Sequence, residues 1–128
     1  MCTPFSEGGG RAPGRKVSRG RVFEQRAARY YQDNGFEILE RNWHAGHKEL
    51  DLIVRKADLI VFVEVKSGSS RRFGHPAERV DGRKISNLID AARRFLIDRN
   101  IEHCDLRFDV VTFVDGELEH FPDAFRVE

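Results

Sequence analysis

Apolar and polar positions along the chain alternate with two different periods, and the change of period marks out the elements. Phe23, Ala27, Tyr30 and Tyr31 recur at i, i+4, i+7 and i+8, the buried stripe of a helix. That helix is predicted from near Gly20 to the stop signal Asn34–Gly35. Glu24 lies at the edge of the stripe, roughly 60–100° round from its middle. Three strands are predicted next: FEILER (36–41), ELDLIVR (49–55) and LIVFVEVK (59–66). In the second, Leu50, Leu52 and Val54 are expected on one face, with Glu49, Asp51 and Ile53 on the other. A Gly/Ser/Arg-rich loop, SGSSRRFGHP (67–76), precedes a second helix over about 78–99, whose apolar face is Ile85, Leu88, Ile89, Ala92, Phe95 and Leu96. Strands at 105–114 and 117–121, joined through Asp115–Gly116, complete an α-β-β-β-α-β-β order.

One detail of this pattern raises a chemical question. Leu59 to Val65 has the composition of a strand buried on both faces, yet it runs on into Glu64 and Lys66, two apart and therefore on one face. The break at Lys56–Asp58 predicts an antiparallel hairpin with the strand before it. If Ala57 and Asp58 form a two-residue turn, paired residue numbers add to 115, so Asp51 falls opposite Glu64 and Glu49 opposite Lys66. A slip of one residue would put Asp51 and Glu64 on opposite faces.

Composition narrows the class. The chain has 128 residues, 34% charged and 40% hydrophobic, which fits one soluble globular domain. Its longest apolar run is far too short to span a bilayer. Residues 1–10 lack the apolar stretch of a secretory leader, and the two cysteines, Cys2 and Cys104, suggest no disulfide framework, so a cytoplasmic location without a membrane role is expected. Net charge is only +1, but residues 1–21 hold five basic residues against Glu7 alone. With its Gly/Pro/Ser content, the segment 1–19 is expected to be a disordered basic tail ahead of a domain at 20–128, and such a tail serves either as a phosphate contact or as a solubilising leader.

The hairpin gathers Glu49, Asp51, Glu64 and Lys66 on one sheet face. Adjacent carboxylates repel unless a cation or a proton lies between them, and hard oxygen ligands suit Mg²⁺ or Mn²⁺. A neighbouring lysine is suited to orient or deprotonate a water, or to stabilise charge on a phosphorane-like state. The class indicated is metal-assisted phosphodiester hydrolysis. The competing reading is structural: Glu49–Lys66 as a cross-strand ion pair, with Asp51 or Glu64 facing solvent.

The chain resembles the PD-(D/E)xK nuclease superfamily, and within it the YraN-like bacterial family, itself similar to archaeal Holliday-junction resolvases. The stretches that carry the resemblance are Gly20…Glu24-Gln25-Arg26-Ala27, NGFEILERN (34–42), Glu49-Leu50-Asp51-Leu52-Ile53, FVEVK (62–66), Phe73-Gly74, Lys84, Arg107-Phe108-Asp109-Val110-Val111 and Ala124-Phe125, together spanning about residues 20–126. The resemblance implies a restriction-endonuclease-like α/β fold with a central mixed sheet flanked by helices. It implies Asp51 and Glu64 as ligands of Mg²⁺ or Mn²⁺, with the Val65 carbonyl as a further oxygen, Lys66 as the catalytic lysine and Glu24 as an additional acid. Glu49 matches a recurrent position of less defined role. DNA, branched DNA in particular, is the implied substrate. Cutting a junction needs two sites, so a homodimer is implied by symmetry. The chain departs from the pattern at Lys48, where glycine is usual, and at Ser67, where a basic residue or threonine is usual. The rival functional class is a nucleic-acid-binding protein that keeps the fold without cleaving.

Four further positions suit nucleic acid. Arg71, Arg72 and Phe73, in the loop after the E-x-K strand, combine phosphate-clamping guanidinium groups with a stacking ring, and Lys84 is a candidate phosphate contact. Read structurally, they form a solvated loop and a surface lysine. Arg93 and Arg94 are expected on a solvated helix face, and Trp43 against the sheet edge. His44, His47, His75, His103 and His120 do not follow zinc-ligand spacing.

Overall fold

A computed structural model of the chain describes residues 19–68 and 82–125. The elements run α1 (Arg19–Asp33), β1 (Glu37–Ala45), β2 (Lys48–Lys56), β3 (Leu59–Gly68), α2 (Gly82–Asp98), β4 (Asp105–Val114) and β5 (Glu117–Phe125). The five strands form one sheet in the order β1-β2-β3-β4-β5. Neighbours pair antiparallel except β3 and β4, which are parallel and are connected through α2. This is an α/β fold consistent with the restriction-endonuclease-like core. The basic segment at 1–18, the expected start of α2 at 78–81 and the loop carrying Arg71, Arg72 and Phe73 lie outside the described residues.

Each helix covers one face of the sheet. Leu88, Ala91, Ala92 and Phe95 of α2 pack on Ile53, Ile60, Phe62, Phe108 and Val110. On the other face, Ala27, Ala28 and Tyr31 of α1 pack on Leu52, Val54, Val61, Val63, Val111 and Phe113. Burial on both sides is why β3 has an unbroken apolar run from Ile60 to Val63 rather than an alternating one. Both helices end in the same way. Phe36 N–H bonds to Tyr31 C=O and Gly35 N–H to Gln32 C=O, with Gly35 at φ 88°, and the Phe36 ring meets the Tyr31 ring edge-on at 5.3 Å. In α2, Ile101 and Asn100 bond back to Leu96 and Ile97, with Asn100 taking the left-handed position.

A buried polar bolt joins α1 to β4 and β5. The Asp109 side chain is fully buried and receives Tyr31 Oη at 2.7 Å, Arg107 Nε and Nη2 at 2.8 and 2.9 Å, and the Asp123 backbone N–H at 3.0 Å. His120 Nε2 lies 2.7 Å from the same carboxylate, and its Nδ1 lies 2.9 Å from Tyr30 Oη. Burial alone would raise the Asp109 pKa, but these hydrogen bonds outweigh it and hold the carboxyl far below the usual range.

The hairpin register matches the constant of 115, from Lys56 opposite Leu59 to Leu52 opposite Val63. Three expectations need correction. β1 runs on past Arg41 to Ala45, crossing Asn42 in the left-handed region at φ 50°. β5 runs on past Phe121 to Phe125, because Pro122 is tolerated on an edge strand. Leu50 does not share a face with Leu52 and Val54: it packs with Ile53 on the α2 side, so the alternation of β2 shifts by one residue around Asp51. No described helix is long and apolar enough to cross a membrane.

Candidate functional site

The site forms where the β2–β3 ladder stops. Pairing is regular as far as Leu52 and Val63. One residue further, the Asp51 carboxylate takes over as acceptor and receives the Val65 backbone N–H at 2.9 Å. The aspartate is thereby pinned to β3 next to Glu64. The Glu64 side chain also lies within hydrogen-bonding reach of Asp51 and, after burial, is the main cause that raises the Asp51 pKa. Glu64 is only 5% exposed, and Lys84 of α2 reaches it with Nζ at 2.9 Å.

Two more carboxylates close on Asp51. Oxygens of Glu24, Glu49 and Asp51 all lie within 4.8 Å of one another, with Glu24 delivered by α1 and the other two by β2. Glu24 is half-buried and is held by a hydrogen bond from the Asn42 side chain. Asn42 has a left-handed backbone at φ 50°, and asparagine is among the few non-glycine residues that adopt that conformation readily. Glu49 is more open and has His44 Nδ1 at 4.0 Å.

The charges are in conflict as they stand. Burial, reinforced by the hydrogen bond and charge of Glu64, pushes the Asp51 pKa up. Burial also raises Glu24, with Glu49 adding to the shift and the Asn42 hydrogen bond opposing it. Burial would lower Lys84, but its hydrogen bond to Glu64 and the charges of Glu64, Asp51 and Glu49 outweigh that and move it upward. A carboxylate group raised by its neighbours is not a satisfied ion-pair network. It is a set of hard oxygen donors short of positive charge, and that donor chemistry fits Mg²⁺ or Mn²⁺.

The residues singled out from sequence fall into three groups. Glu24, Glu49 and Asp51 converge, and Glu64 joins them through Asp51 while engaging Lys84. Lys84 therefore touches a carboxylate of the site, a contact that its reading as a phosphate ligand did not include. Val65 contributes its N–H to Asp51. Lys66 is half-buried two residues beyond Glu64 on β3 and makes no ion pair among the described residues. Arg71, Arg72 and Phe73 lie outside the described residues. Lys48, the departure from the glycine pattern, bonds Asp90 of α2 at 2.8 Å and ties the start of β2 to that helix. Trp43 packs edge-on against Phe95. Asn42 was missed; the only sequence signal for it is an asparagine interrupting a strand pattern. A cavity of about 530 Å³ lies elsewhere, between α2 and the starts of β3 and β4, lined by Leu59, Ile89, Leu96, Leu106 and Phe108 among others.

Comparison with known proteins identifies the family of the chain. The model of the uncharacterised protein family UPF0102 matches residues 23–113. A UPF0102 protein of Sulfurihydrogenibium sp. is 34% identical over 113 residues, covering 88% of this chain and 98% of the relative. One from Syntrophomonas wolfei is 45% identical over 106 residues, covering 80% and 92%. One from Beutenbergia cavernae is 41% identical over 96 residues, covering 75% and 81%. The matched region runs from α1 through β4 and contains every carboxylate of the site, and the chain belongs to the UPF0102 family.

Proposed function

We propose that this chain is a nuclease that hydrolyses DNA phosphodiester bonds with Mg²⁺ or Mn²⁺ as cofactor. The observation that carries the proposal is the convergence of Glu24, Glu49 and Asp51 within 4.8 Å, with Glu64 hydrogen-bonded to Asp51, at the end of the central hairpin. Glu24, Glu49, Asp51 and Glu64 are the residues that would hold the cation, with the Val65 carbonyl as a further donor. A divalent cation bound there supplies Lewis acidity toward a phosphate oxygen and lowers the pKa of water.

The chain's own groups account for the rest. Burial and Glu64 raise the Asp51 pKa, so a cation must compete with a proton for that carboxylate and loading is favoured as pH rises. Lys84 Nζ, bonded to Glu64, fixes that carboxylate and offsets part of the cluster's charge. Lys66 Nζ, as an ammonium, orients the attacking water and remains beside the charge that develops on the phosphoryl group. Arg71, Arg72 and Phe73 are proposed to contact the nucleic acid. Branched DNA as substrate, and a homodimer supplying two sites, follow from the likeness to junction resolvases and extend the same proposal.

Anomalous scattering from a crystal soaked in Mn²⁺ tests the metal centre. A peak bounded by Asp51, Glu24 and Glu49 is expected, and a fully soaked crystal without density there would sink the enzymatic reading. Binding of DNA at low salt without cleavage would instead favour a protein that keeps the fold only to bind.

A further inference from the structure

Thr112 lies beside the proposed catalytic lysine, and its hydroxyl is buried and unpaired among the described residues. The parallel register of β3 and β4 sets Lys66 directly against Thr112. Both residues continue the α2-side face of the sheet: Phe62, Glu64 and Lys66 on β3, and Phe108, Val110 and Thr112 on β4. Thr112 is 0% exposed, and its Oγ1 has no hydrogen-bond partner among the described residues. Its neighbours Val110, Val111 and Phe113 are all apolar and buried.

A hydroxyl in that setting is costly, because valine has the same shape without the lost hydration. A native buried hydroxyl without a partner calls for one that arrives in another state of the molecule. Lysine suits the part: side chains on paired residues start about 5 Å apart, the lysine stem is flexible, and its ammonium carries three donors. We propose that Thr112 is the positioning residue of Lys66, its Oγ1 accepting one N–H of Nζ when the lysine turns toward the acidic cluster. With one donor anchored, the remaining two are held toward the water and the phosphoryl oxygens rather than free to rotate. The proposal rests on the nuclease reading for its purpose, but the contact itself can be observed without any cleavage.

The experiment uses two readouts on the full chain loaded with Mg²⁺: wild type, Thr112→Val and Thr112→Ser. In single-turnover cleavage of DNA, Thr112→Val is expected to slow the chemical step about 10–100-fold with KM unchanged, and Thr112→Ser to recover most of the rate. In the second readout lysines are reductively methylated with ¹³C and the Lys66 resonance is assigned through Lys66→Arg. Thr112→Val is expected to shift that resonance, Thr112→Ser to return it, and both to leave the other lysines in place. If wild type does not cleave but the resonance behaves this way, the positioning contact stands and the nuclease reading falls. A resonance that does not move, or a serine variant as slow as the valine one, overturns the proposal. Should Thr112→Val fail to fold, Thr112→Ala against Thr112→Ser isolates the same hydroxyl.

Discussion

Replacing Asp51 by asparagine should make the metal-free protein more stable. The carboxylate sits within 4.8 Å of oxygens from Glu24 and Glu49 and is hydrogen-bonded to Glu64, and burial and Glu64 together push its pKa up. Two unit charges 4.8 Å apart repel by about 3.5 kcal/mol at an effective dielectric of ~20 and by about 0.9 kcal/mol in water. Glu24 and Glu49 are partly open to solvent, and Lys84 offsets some of the charge, so the lower part of that range applies. Asparagine keeps the geometry: its Oδ1 can still accept the Val65 N–H, and its amide can donate to Glu64. A net gain of about 1–2 kcal/mol is expected, or a Tm rise of roughly 4–10 °C for a domain of this size. The sign depends on pH. An acid whose folded pKa is raised costs stability once pH passes its unfolded value, about 3.9, so the gain is present at pH 7–8 and fades toward pH 4. Mn²⁺ should raise the Tm of wild type, by about 2.7 kcal/mol of stabilisation at a hundredfold excess over Kd, and should raise that of the variant far less. Differential scanning fluorimetry with EDTA or Mn²⁺ measures both effects. A variant with a lower Tm in EDTA would refute the reasoning, because it would make the cluster a stabilising ion-pair network.

Other perturbations give distinct outcomes. Asp109→Asn should destabilise by about 3 kcal/mol at pH 7, since it leaves Arg107 and its neighbours without their buried anion. Because the folded pKa of Asp109 is depressed, that contribution is complete above the unfolded value of about 3.9, declines below it and vanishes only below the far lower folded value, so urea midpoints of the two proteins should begin to approach each other below about pH 4 and still differ at about pH 3. Phe95→Ala should cost about 3–5 kcal/mol by opening a cavity among Trp43, Phe62 and Ala92, read as a lower urea midpoint at unchanged m-value. Asn42→Ala should leave Glu24 unanchored and the left-handed residue strained, with Mn²⁺ affinity falling about 10-fold in calorimetric titration.

The backbone of the fold was readable because it rests on local rules. The two-residue turn at Ala57–Asp58 fixes the constant of 115 as far as Leu52 and Val63, which brings Asp51 to the end of the ladder beside β3. The Schellman ending at Asn34–Gly35 fixes where α1 stops. What could not be read depends on contacts between distant segments. Asn42 takes a left-handed conformation inside a strand and bonds Glu24 from another element, which no alternation predicts. The shift of Leu50 to the α2 face arises where Asp51 replaces the β2 backbone as partner of Val65, and a period of two has no place for that exchange. Lys84 and Lys48 looked like surface lysines or departures from a pattern. Their partners, Glu64 and Asp90, come into reach only when α2 packs on the sheet.

Single-turnover incubation with single-stranded, duplex, flapped and four-way-junction DNA tests the central claim most directly. Wild type and Lys66→Ala are compared in Mg²⁺, Mn²⁺ and EDTA. Cleavage of at least one substrate by wild type with either metal, lost in EDTA and in Lys66→Ala while DNA binding persists, is the predicted result. Folded protein that binds Mn²⁺ at Asp51 and binds DNA, yet cuts none of the four substrates, would contradict it.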